Sequence, residues 1–139
     1  MPETIIEKTL KKVLITGCAS GIGLAQTEIF LSNDYLVYGI DKNMYPSVEH
    51  PNLFFYQADL TNNLSDLWQS LPKTFDIICH TAGILDDYKP LLETTDEDIK
   101  HILETNVTPV IKITRHFLPQ MIEQQSGIII NMCSIASFV

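Results

Sequence analysis

The sequence predicts an α/β fold, a three-layer, doubly wound parallel sheet with helices on both faces. The order expected for its five strands is 3-2-1-4-5, and the sheet is expected to stop after strand five. Three observations carry this prediction. Short apolar, partly β-branched runs alternate with longer segments of helical period. The runs are continuous rather than alternating, as in strands buried on both faces. The first run, Val13-Leu14-Ile15, stops at Gly17, and a helical segment opens after Gly21 and Gly23.

Length and composition set bounds. The chain has 139 residues, 45% of them hydrophobic, enough for one domain with a core. The formal net charge is −8 and Arg115 is the only arginine, which argues against nucleic acid and anionic membrane as partners. Met1 to Lys12 has no signal-peptide h-region, and no apolar run reaches membrane-spanning length. Cys18, Cys79 and Cys133 are far apart and form no Cys-x-x-Cys pair. Reduced thiols, no metal site and a cytoplasmic location are therefore expected.

Residues 1–11 read as a polar lead-in, followed by the first strand, Lys12–Thr16. The first helix is expected over Ile22–Ser32, with Ile22, Ala25, Ile29 and Phe30 as its apolar face. Strand two is Leu36–Ile40 and ends at Asp41. Residues 43–52 hold two prolines and no helical period, so the crossover helix is expected to be shortened or lost. Strand three is Leu53–Ala58, and Leu64–Leu71 is a short helix that buries Leu67, Trp68 and Leu71. Strand four is Phe75–His80, and residues 85–93 form a loop over the site.

Thr95-x-x-Asp98 has the form of a capping box. It opens one long helix, Asp96 to Gln124, with a broad apolar stripe and a kink at Pro109, which cannot donate to the Thr105 carbonyl. Strand five is Gly127–Cys133, ending at Ser134.

The glycine turn carries chemistry. Glycine takes positive φ and lets a ligand approach the backbone. Free N–H groups and the helix dipole then form a pyrophosphate site. Asp41 follows 24 residues after Gly17, where an acidic side chain accepts bonds from ribose hydroxyls and repels a 2′-phosphate. NAD(H) is therefore expected over NADP(H), although Lys42 supplies a cation beside Asp41. Strand, glycine turn, helix and distant acid together make a dinucleotide-binding, Rossmann-like arrangement.

Thr16-Gly17-x-x-x-Gly21-x-Gly23 resembles the cofactor motif of the short-chain dehydrogenase/reductase family, in the spacing of its small single-domain members. The resemblance covers the whole chain but only the N-terminal part of the family domain. It implies cofactor contacts from Gly17, Ser20, Gly21, Ile22, Gly23, Asp41, Asp59, Leu60, Ala82 and Gly83. Asp59 would bond the adenine amino group; as a bare Asp-x-Thr it is also a good turn. The family's Asn-Asn-Ala-Gly reads His80-Thr81-Ala82-Gly83 here. Its two asparagines, which brace the sheet, are missing, and His80 reads as a packed strand residue.

Asn106 matches the asparagine of the family's catalytic tetrad, and Ser134 its serine. The family's Tyr-x-x-x-Lys pair comes about a dozen residues beyond the serine, and the sequence given ends before it. Tyr38-x-x-x-Lys42 has the letters but lies at a strand end, where positions four apart are about 13 Å apart.

Two functions are open. The first is an NAD(H)-dependent oxidoreductase that interconverts a secondary alcohol and a ketone, with a 3-oxoacyl thioester among the candidate substrates. As a fragment it is expected to be inactive. The second is a non-catalytic dinucleotide-binding half-domain that serves as a binding or assembly module. A homo-oligomer is expected through helix 96–124 and the exposed edge of strand five.

Overall fold

The computed structural model describes residues 9–43, 46–85 and 87–135. Most of the lead-in, two crossover residues, Asp86 in the loop and residues 136–139 lie outside them. The elements in chain order are β1 (Lys12–Thr16), α1 (Gly21–Ser32), β2 (Leu36–Asp41), β3 (Leu53–Gln57), α2 (Ser65–Ser70), β4 (Ile77–His80), α3 (Asp96–Asn106), α4 (Thr108–Glu123) and β5 (Ile128–Asn131). A single 3-10 turn, Leu91–Glu93, precedes α3. The strands form one sheet in the order β3-β2-β1-β4-β5. Every pairing is parallel. This is the predicted doubly wound topology.

Strand side chains alternate between the two layers. Val13, Ile15, Val37, Ile77 and Cys79 pack with Leu31 of α1 on one face. Leu14, Ile40 and Ile78 pack with Leu67, Ile113, Phe117 and Met121 of α2 and α4 on the other. Phe75 and Phe117 meet edge-on at 5.0 Å, and Trp68 meets Phe117 edge-on at 5.8 Å. Such pairs add about 1 kcal/mol each beyond their burial.

Two expectations need correction. The apolar face assigned to α1 is wrong, because Ile22 and Ile29 are 57% and 62% exposed. The helix instead buries Gly23, Thr27 and Leu31, positions four apart on one stripe. A glycine in this stripe lets the helix lie close against the sheet. The Thr27 hydroxyl donates to the Gly23 carbonyl at 2.9 Å, so its burial leaves nothing unsatisfied.

The single long helix is also wrong. α3 ends at Asn106, Val107 takes φ −115° and ψ −52°, and α4 starts at Thr108. Pro109 therefore lies in the first turn of α4, where a missing N–H costs no helical bond. The proline starts a helix instead of kinking one. The capping box does form, with the Thr95 hydroxyl accepting from the Asp98 N–H and the Asp98 carboxylate accepting from the Thr95 N–H. Lys89 adds an ion pair to Asp98 at 2.8 Å, which ties the loop to the start of α3.

β2 and β3 pair in parallel with no helix among the described residues between them. β5 is the sheet edge, with Ile128 and Ile130 exposed. An apolar stripe of Ile99, Leu103, Ile111, Leu118 and Ile122 is exposed along α3 and α4.

Candidate cofactor-binding site

β1 and β4 are neighbours, yet the chain leaves β1 toward β2 and returns across it to β4. Their carboxyl ends are thus the topological switch point, where an open α/β sheet leaves a crevice. A cleft of about 290 Å³ lies there. Gly17, Ser20, Gly21, Ile22, Gly23, Asp41, Asp59, Leu60, Ala82 and Gly83 all line it. Every residue predicted from sequence to contact cofactor is therefore on one wall or another of the same cleft.

The glycines serve distinct ends. Gly21 has φ +52°, a region that side-chain-bearing residues avoid. Gly23 is set by space, since a Cβ there would sit 1.9 Å from the Gly17 carbonyl oxygen. Gly17 in turn packs on Ala82, where a Cβ would come within 2.8 Å of the Ala82 Cα. The loop is thereby pressed against the end of β4. Ser20 is the N-cap of α1, but its side chain makes no capping bond, and the first turn holds no acidic residue. The first turn of α1 thus lines the cleft and brings no acidic side chain of its own to it.

Asp41 is buried, 7% exposed. One carboxylate oxygen accepts from the Ala19 N–H at 3.0 Å and the other from the Asn43 N–H at 2.9 Å. This carboxylate clamps the glycine loop to the end of β2. Each oxygen keeps a second lone pair, which a ribose hydroxyl needs. Asp59 makes the turn foreseen as its alternative role. Its Oδ1 accepts from the Thr61 N–H at 2.9 Å and the Thr61 hydroxyl at 2.8 Å. Those bonds hold its carboxyl below the usual range.

The missing asparagine bonds are replaced by others. The Thr16 hydroxyl accepts from the Thr81 and Ala82 N–H groups, both at 3.1 Å, and so pins β1 to β4. The Thr81 hydroxyl bonds Gln26 Oε1 at 2.6 Å. The His80 ring bonds the Thr114 hydroxyl at 3.0 Å, which ties β4 to α4. Burial pushes the His80 pKa down to about 4, so the ring is neutral near pH 7. Sequence reading missed Thr16, Gln26 and Thr114 in this role. Only tertiary contact brings them to β4.

Asn106 closes α3, and Ser134 follows the end of β5. Asn106 lines the neighbouring cleft beside the 85–94 loop. Its Oδ1 accepts from the Ile84 N–H and its Nδ2 donates to the Ile84 carbonyl, both at 2.8 Å. The side chain thus fixes the backbone just after Gly83. Ser134 lies beyond the end of β5 and is exposed.

The model of the short chain dehydrogenase family matches residues 11–139. The chain belongs to the short-chain dehydrogenase family. Short chain dehydrogenase adrF of Penicillium roqueforti is 35% identical over 133 residues, covering 90% of this chain and 52% of that protein. The NADPH-dependent pterin aldehyde reductase of Arabidopsis thaliana is 28% identical over 141 residues, covering 89% of this chain and 56% of that protein. The crystal structure of a short-chain dehydrogenase from Leptospira borgpetersenii with bound NAD+ superposes with a TM-score of 0.83 at 30% identity. That match covers 94% of this chain and 54% of the Leptospira chain. The chain thus spans about half the length of the relatives it matches. The family is one of oxidoreductases, and the doubly wound fold is shared with this NAD+-bound member.

Proposed function

We propose that these residues are the N-terminal part of a single Rossmann-like domain of an NAD(H)-dependent oxidoreductase. Its reaction interconverts a secondary alcohol and a ketone. The observation that carries this is the single cleft at the switch point, lined by the glycine loop, Asp41 and Ala82-Gly83. NAD(H) is favoured over NADP(H) because a buried carboxylate at the ribose end repels a 2′-phosphate. Asn106 serves by holding the Ile84 backbone at the cofactor's edge, and Ser134 by bonding the substrate oxygen. A cytoplasmic setting suits the free thiols of Cys18 and Cys79. Among the described residues no helix is long and apolar enough to cross a membrane.

With no Tyr-x-x-x-Lys on a helix, these 139 residues alone bind dinucleotide without turnover. The second reading, a non-catalytic dinucleotide-binding module, is favoured by that same feature. Self-association through the exposed stripe of α3 and α4 and the β5 edge accords with the apolar residues left uncovered there.

Thermal unfolding with NAD+, NADH and NADP+ tests the proposal. Protection by NAD+ and NADH at lower concentration than by NADP+ is expected. Asp41→Ala is expected to weaken NAD+ and narrow the gap to NADP+. No protection by any dinucleotide would overturn both readings. Turnover without added chain segments would remove the module reading. Sedimentation is expected to show a species larger than the monomer.

A further inference from the structure

A second groove lies outside the cofactor cleft, between α4 and the turn that leads into α2. Its volume is about 620 Å³, and Asn63, Trp68, Lys112, Arg115 and His116 are on its walls. Lys112, Arg115 and His116 stand three and four residues apart on α4, so they share one helix face. The chain has a net charge of −8 and a single arginine, yet that arginine and a lysine meet here. No carboxylate lines the groove among the described residues. Neither Lys112 nor Arg115 enters an ion pair among them, whereas Lys89 is paired with Asp98.

The groove is also held open and offers mainly donors. The Trp68 and His116 rings stack at 4.4 Å and 13°, which joins α2 to α4 and sets the spacing of the two walls. Trp68 is steadied in turn by its edge-on contact with Phe117. Burial pushes the His116 pKa down, so Lys112 and Arg115 carry the charge near pH 7. On the opposite wall the Asn63 Oδ1 accepts from the Ser65 N–H at 2.9 Å and the Ser65 hydroxyl at 2.7 Å. Both its lone pairs are thereby used, and what Asn63 still offers is its amide Nδ2, a donor. Thr61 lines this groove and the cofactor cleft alike, and its hydroxyl is given to Asp59 at 2.8 Å.

We propose that this groove binds the phosphate group of a small phosphorylated molecule, with Lys112 and Arg115 as its cationic ligands. A planar guanidinium grips two phosphate oxygens at once, and the ammonium supplies a second charge for a dianion. The groove holds more than a phosphate alone, which leaves room for the body of the ligand. The site is separate from the glycine loop.

Calorimetric titration of inorganic phosphate at constant ionic strength tests the assignment, with Lys112→Gln, Arg115→Gln and the exposed Lys73→Gln as variants. Loss of either groove cation should weaken phosphate about five- to tenfold, as for a charge-assisted bond. Lys73→Gln removes the same charge elsewhere and should stay within about twofold. Acetate, a monoanion, should bind more weakly than phosphate; equal binding would overturn the choice of phosphate. Saturating NAD+ should leave phosphate affinity unchanged, and displacement by NAD+ would put the anion on the glycine loop and overturn the site. Equal losses in all three variants would reduce the effect to net charge and overturn it too, as would no phosphate binding by the wild type at millimolar concentration. A chain that ignores NAD+ but loses phosphate on Arg115→Gln would uphold this site and overturn the dinucleotide reading.

Discussion

β1 and β5 have much the same sequence character and opposite fates. β1, Lys-Val-Leu-Ile-Thr, is buried from Val13 to Thr16. β5, Ile-Ile-Ile-Asn, is more apolar, yet only Ile129 is even partly covered. The difference is one of neighbours. β1 has β2 on one side, β4 on the other, and helices over both faces. β5 has β4 alone. Burial is thus conferred by what surrounds a strand, and hydrophobicity supplies only the capacity for it. The cleft follows the same division. Its glycine loop, Asp41 and Ala82-Gly83 hang from the packed strands, whereas Ser134 hangs from the open edge.

The sharpest way to break this comparison is to truncate one side chain in each strand. Leu14→Ala leaves a cavity between α4 and the sheet and should cost about 4 kcal/mol, read from denaturant unfolding. Ile130→Ala on the edge should cost less than about 1 kcal/mol while reducing self-association in sedimentation. Equal costs would mean that β5 is covered in solution.

Gly23→Ala comes next. The added methyl would meet the Gly17 carbonyl, so α1 must shift, at about 3 kcal/mol, and NAD+ protection should vanish. Retained protection in a destabilised variant would separate loop geometry from the cleft.

His80 gives a pH test of the packed side. Its folded pKa is depressed to about 4 by burial, below the usual 6.5. Its contribution is therefore full above pH 6.5 and falls as pH drops toward 4, because the unfolded chain takes up the proton first. The loss amounts to about 2 kcal/mol at pH 5. His80→Gln should flatten stability between pH 6.5 and 5; an unchanged slope would show that His80 is not its source.

A further test concerns the seam between the two regions. Asn106→Ala removes both bonds to Ile84 and should cost about 1–2 kcal/mol, with a larger fractional loss in NAD+ affinity than in stability. A stability loss with unchanged affinity would make Asn106 a structural tie only.

The strands, the glycine loop and the acid after β2 were legible because their signals are local, whereas the strand order and the remaining cleft residues came with the family resemblance. A β-branched run, a glycine at a turn and an acid at a strand end need no partner to be read. The face of α1 was not legible, since Gly23 and Thr27 carry no hydrophobic signal and are buried only because the helix sits so near β1. The break at Val107 was misplaced because Pro109 fits both a kink and a helix start, and only the dihedral angles choose between them.

The amino-acid sequence by itself determined the parallel α/β class, the glycine loop and the acid at the end of β2, for those depend on backbone reach and residue type. The tertiary structure alone decided which hydroxyls are satisfied and which strand stays open. Thr16 serves two N–H groups across the sheet, while the Thr105 hydroxyl is buried without a partner among the described residues. A hydrogen bond across the fold joins residues far apart in the chain, and no local pattern records that pairing.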